Sequence, residues 1–94
     1  MLQMETRHQE IIRSILAKYP YKFYAYGSRV KNQAKKYSDL DVCYYEEMPW
    51  NTFSHLKEDL EKSYLPFKVD LVYWEWMTPE FQKMIKGNLV PISQ

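Results

Sequence analysis

The chain has a single cysteine, Cys43, among its 94 residues. A lone thiol excludes an internal disulfide and a cysteine metal cluster, and it suits a reducing compartment. There is no apolar run of membrane-spanning length. The N-terminal stretch MLQMETRHQE is polar and acidic, unlike a secretory leader. These absences make the cytoplasm the expected location. An excess of one charge is missing too, because 13 Lys and Arg against 12 Asp and Glu leave a formal net charge of +1. Bulk charge therefore gives no drive onto nucleic acid, though local basic patches exist. Repeats and low-complexity tracts are absent. Glycine is scarce: Gly27 and Gly87 are the only two, and each ends an expected element.

The chain is long enough for one domain, read as residues 1–94, but short enough that a modest share of its surface is buried. A partner or a further copy is expected to complete it, as a hetero- or homo-oligomer. Aromatic residues reach 17%, which is high. Either a small core uses large side chains, or some aromatics line a groove or a partner surface.

Apolar spacing predicts a helix over residues 2–18, with Met4, Ile11, Ile12, Ile15 and Leu16 on one stripe. Residues 22–26 read as a strand that Gly27 stops. Ser28 is positioned to cap a short helix after it. Residues 40–45 read as a second strand, with Leu40, Val42 and Tyr44 on one face and Asp39, Asp41 and Cys43 on the other. Asn51 is the expected cap of a helix carrying Phe53, Leu56, Leu60 and Tyr64. Residues 67–74 read as a third strand, with Asp70 on its polar face. Thr78, Pro79 and Glu80 form a helix start, Phe81, Met84 and Ile85 its apolar side, and Gly87 its end. The tail NLVPISQ fits either an edge strand or a loop. The order predicts an α/β fold, a small sheet flanked by helices, with one face partly open and acidic.

Asp39 and Asp41 lie two apart in an extended segment, so their side chains point the same way. Carboxylates this close repel one another unless a cation intervenes, and Mg²⁺ takes such hard oxygen ligands together with nucleotide phosphates. Asp70 reaches the same ion if the second and third strands are neighbours. It would also take the proton of an attacking hydroxyl. An aspartate within an apolar strand otherwise needs solvent or a partner such as Lys68 or Arg29. Gly27 lets a phosphate approach the main chain, and Ser28 offers a hydroxyl and an N–H. Arg29, Lys31, Lys35 and Lys36 form a nearby basic patch. Arg29 is the best placed to steady a leaving pyrophosphate, with Lys36 or Ser38 next. Cys43 reads as a buried neighbour, and His8 and His55 as structural or surface residues.

The run GSRVKNQAKKYSDLDVCY, followed by the strand aspartate Asp70, resembles the signature of the minimal nucleotidyltransferases of the DNA polymerase β-like superfamily. The resemblance covers nearly the whole chain. It implies a polymerase β-like core in which Gly27 and Ser28 hold nucleotide phosphates, with Arg29 and Ser38 added to the nucleotide-binding set by their position alone. It implies further that Asp39, Asp41 and Asp70 are the catalytic, metal-binding acids for two Mg²⁺ ions, and that the substrate is ATP. Asn32 stands where the family usually has glycine, and asparagine is the next most tolerant residue of a left-handed backbone. The implied activity is transfer of a nucleoside monophosphate, AMP from ATP, to an acceptor hydroxyl. The implied partner is a small all-helical HEPN-type toxin, one tyrosine of which is the acceptor, with this chain as antitoxin. The alternative is a non-catalytic antitoxin that neutralises its partner by complex formation. A nucleic-acid end is a further acceptor class, disfavoured by the near-neutral charge.

Overall fold

The computed structural model describes residues 2–35 and 37–92. The element order is α1 (Thr6–Leu16), β1 (Phe23–Tyr26), β2 (Leu40–Tyr44), α2 (Trp50–Glu61), β3 (Val69–Tyr73), a 3₁₀ turn (Trp74–Trp76), α3 (Pro79–Lys86) and β4 (Val90–Ile92). The four strands form one mixed sheet in the order β3-β2-β1-β4. β1 is antiparallel to both β2 and β4, while β3 runs parallel to β2 through the α2 crossover. The tail is therefore an edge strand. Among the described residues no helix is long and apolar enough to cross a membrane.

Period-2 alternation splits the side chains of the sheet between two layers. Phe23, Ala25, Leu40, Val42, Tyr44 and Ile92 pack against Ile12, Ile15 and Leu16 of α1 and Leu56 and Leu60 of α2. On the other face Tyr26 and Cys43 meet Ile85 of α3, with Phe81, Met77 and Trp74 against them. This face is thus only partly open, since α3 covers the half over β1 and β2. Burial pushes the Cys43 thiol up to about 11, so it stays protonated and apolar in character.

Several boundaries differ from expectation. α1 starts at Thr6 because Gln3 is held away from it: its N–H donates to the Arg29 carbonyl at 2.8 Å. α2 starts at Trp50 behind Pro49, one residue ahead of the expected Asn51 cap, and Asn51 Oδ1 accepts instead from the adjacent Thr52 N–H. Tyr64 lies beyond the helix and is 94% exposed, and Met84 points outward at 61%. No short helix follows Ser28. The chain makes one turn, with the Val30 and Lys31 N–H groups donating to the Gly27 carbonyl and that of Gln33 to Ser28. Asn32 then takes φ +62° and ends it. That 6→1 bond with a left-handed residue is the ending that usually needs glycine. α3 starts as expected, Thr78 accepting from the Phe81 N–H at 3.2 Å with Pro79 in the first turn.

Candidate active site

The antiparallel β1–β2 register sets Tyr26 opposite Asp41, so the turn after β1 sits beside the start of β2. Gly27 has φ +85°. A Cβ built on it would lie 2.5 Å from Asp41 Oδ2. The glycine is required twice over, by its backbone conformation and by the carboxylate that occupies the space. The parallel β2–β3 register places Asp70 directly beside Asp41 on the same face. Asp41 on β2 and Asp70 on its neighbour therefore stand side by side at one corner of the sheet, with Asp39 just ahead of β2.

Electrostatics agree with the placement. The Asp41 carboxyl is raised above the ordinary carboxylate range, first by burial and then by the charges of Asp70 and Asp39. Burial and the Asp41 charge push the neighbouring Tyr26 phenol up to about 12, with smaller contributions from Cys43 and Asp70. Asp39 is exposed at the mouth, whereas Asp41 and Asp70 are half-buried. The Lys68 ammonium lies 3.6 Å from Asp70 Oδ1, a largely exposed pair. Among the described residues no three acidic, histidine or cysteine side chains close into a metal cage. Mg²⁺ is usually held by one or two carboxylates plus substrate phosphates, and the Asp41–Asp70 pair is of that kind. Its hard oxygen donors fit such an ion, and the one exposed lysine beside Asp70 leaves the pair with net negative charge.

Ser28 caps the corner from the β1 side, and no hydrogen bond among the described residues engages its hydroxyl. Arg29 is placed differently from the expected pyrophosphate contact. It is 4% exposed. Its Nε and Nη2 donate to the Ser38 carbonyl at 3.0 and 2.7 Å, and Nη1 donates to the Gln3 carbonyl at 2.8 Å. The guanidinium also lies 4.0 Å over the Phe67 ring. Burial lowers its pKa and the nearby Asp39 charge opposes that shift. Arg29 thus holds the residue before Asp39 instead of facing the open corner. The Ser38 hydroxyl accepts from the Lys35 N–H at 2.8 Å and belongs to the same loop. Lys31 and Lys35 are exposed, while Lys36 lies outside the described residues.

Two residues of this region carry no signal in a linear reading. Gln3 grips the loop through both ends of its amide, Nε2 donating to the Ala34 carbonyl and Oε1 accepting from the Ala34 N–H, each at 2.9 Å. Tyr26 enters through the hairpin register. Counting outward from an antiparallel β1–β2 pair would have found Tyr26; nothing local points to Gln3.

Residues 10–93 match the family described as polymerase beta, nucleotidyltransferase. The chain is 36% identical over 97 aligned positions to a Haemophilus influenzae protein named as probable protein adenylyltransferase MntA, covering 99% of this chain and 85% of that protein.

Proposed function

Because this chain belongs to the polymerase β nucleotidyltransferase family and is a minimal nucleotidyltransferase, we propose that it transfers AMP from ATP to a hydroxyl on a partner protein. The observation that carries this reading is the Asp41–Asp70 pair in adjacent strands, directly beside the Gly27-Ser28 turn. The name of the Haemophilus relative, a probable protein adenylyltransferase, supports protein as the acceptor.

In the proposed reaction the acceptor oxygen attacks the α-phosphorus of ATP. A new O–P bond forms, the bond from that phosphorus to the β-phosphate bridging oxygen breaks, and pyrophosphate leaves. The acceptor proton passes to Asp70. Ser28, through its hydroxyl and its own backbone N–H, binds triphosphate oxygens beside the space that Gly27 leaves open. Asp39, Asp41 and Asp70 would hold Mg²⁺, which supplies charge neutralisation of the triphosphate when bound. Arg29 and Ser38 act by fixing the approach to Asp39. The partner of this reading is a small helical toxin whose tyrosine is the acceptor, and the chain is its antitoxin. Neutralisation through complex formation alone is the second reading. It draws on Trp50 and Trp76, exposed at 75% and 65%, residue types that anchor protein interfaces.

The test is intact-mass spectrometry of the neighbouring-gene product after incubation with this protein, ATP and Mg²⁺. The expected result is a gain of one or more AMP units, lost with the Asp39→Asn, Asp41→Asn double variant. A stable complex with no mass gain would support the second reading.

A further inference from the structure

Tyr26, Asp41 and Asp70 form one row across the sheet. Tyr26 is the last residue of β1, its register partner on β2 is Asp41, and the partner of Asp41 on β3 is Asp70. Register partners point their side chains to the same face, with neighbouring Cβ atoms ~5 Å apart. A phenol and two aspartates therefore share the acidic face of the sheet. The Tyr26 ring is tightly held. It is 7% exposed, meets the Phe81 ring at 5.9 Å and 77°, and packs with Cys43 and Ile85.

The polar end of this side chain is less enclosed than its ring. Tyr26 lines a groove of about 330 Å³ together with Asp41, Asp70 and Val72. β2 separates β1 from β3, a span of about 10 Å at ordinary strand spacing. The side chain reaches that groove only by lying across β2, over Asp41 and toward Asp70. Its hydroxyl makes no hydrogen bond among the described residues. Among those residues no fully buried side-chain oxygen or nitrogen lacks a partner, so this hydroxyl opens to the groove. A phenol that served only to steady Asp41 or Asp70 would be bonded to one of them. This donor is left for a ligand.

We propose that the Tyr26 hydroxyl donates a hydrogen bond to a non-bridging oxygen of the α-phosphate of ATP and stabilises the charge that gathers there during AMP transfer. The inference rests on the reading of the chain as an AMP transferase, and it adds a catalytic residue to that site. In that reaction Ser28 binds the triphosphate and Asp70 takes the acceptor proton, so the α-phosphorus stands between them. Tyr26 starts next to the Gly27-Ser28 turn and ends on the Asp70 side, which brings its hydroxyl to the same atom. A phenol suits a place beside two carboxylates, because it donates without adding a charge that competes with Mg²⁺ for them. During in-line transfer, charge spreads over the non-bridging oxygens. A fixed donor aimed there lowers the barrier more than it strengthens ATP binding. Phe81 and Ile85 do the fixing, by holding the ring.

Tyr26→Phe keeps the ring and removes the hydroxyl. Its kcat for AMP transfer to the neighbouring-gene product should fall about tenfold or more. The KM for ATP, the melting temperature and the thermal shift with Mg²⁺-ATP should stay near those of the parent. ATP with sulfur in place of one non-bridging α-oxygen separates contact from packing. One of its two diastereomers should slow the parent at least about threefold more than it slows Tyr26→Phe, which has already lost the bond to that oxygen. With Mg²⁺ and the non-cleavable α,β-methylene analogue of ATP, nuclear magnetic resonance of the parent should show a hydroxyl proton close to the Tyr26 ring that is unseen without nucleotide. That signal decides the matter should Tyr26→Phe not fold, and its absence overturns the proposal. Parental kcat in Tyr26→Phe, a raised KM alone, or equal sulfur effects in the two proteins overturns the Tyr26 assignment and leaves the transferase reading standing. No AMP transfer by the parent overturns both.

Discussion

Gly27 and Asp41 define the candidate site at the level of single atoms, since one side chain occupies the space that the other lacks. Gly27→Ala forces a Cβ into the Asp41 carboxylate and holds alanine at positive φ. The expected cost is about 1–2 kcal/mol, a melting decrease of several degrees, together with loss of AMP transfer. Thermal unfolding and a transfer assay check both. Asp41 gives a pH prediction. Its carboxyl titrates higher in the folded protein than in the unfolded chain, so between the two values the folded state binds more protons. Stability from this group is present at low pH and falls as pH rises through that window. Asp41→Asn should therefore melt higher than the parent at neutral pH without metal, by about 0.5 kcal/mol after allowance for partial exposure. The gain should shrink as pH falls and the parent's carboxyl takes up its own proton. Melting curves across pH 3–8 measure it, and the variant should still be inactive.

At the scale of elements, the loop from Ser28 to Asp39 is tied down by a residue far away in sequence. Gln3 supplies both polar ends of its amide to Ala34, and Arg29 links the Gln3 and Ser38 carbonyls. Gln3→Ala leaves the Ala34 groups without this partner and should cost about 1–2 kcal/mol in a urea titration. Transfer should fall with it, because the loop leads into Asp39. Locally encoded elements are legible in the residues themselves. Thr78, Pro79 and Gly87 bound α3 because capping is short-range chemistry, and alternation in β2 and β3 sorts their faces. The 3₁₀ turn at Trp74–Trp76 is not legible in this way, and neither is the late start of α1. Both follow from contacts with distant parts of the chain: Trp74 packs against Tyr45 at 4.7 Å and accepts from Gln82, and Gln3 is drawn to the loop.

For the molecule as a whole, the high aromatic content serves two purposes. Phe23 and Tyr44 fill the core, while Tyr73, Phe53, Trp50 and Trp76 continue outward as a chain of ring contacts. The candidate site lies at the sheet corner, so ligands should stabilise the entire fold by linkage. Mg²⁺-ATP at about 100 times its Kd adds ~2.7 kcal/mol, a rise in melting temperature of ~10 °C or more. EDTA should erase the rise, and the Asp39→Asn, Asp41→Asn variant should not show it. Local sequence is enough for the strands and for the Gly27 turn, because these depend on neighbours within a few residues. Long-range pairing is what stands Asp70 beside Asp41, buries Arg29 beneath the loop, and leaves β3 at the end of the sheet with an open edge. Those features depend on strand order and register, which contacts between distant segments set.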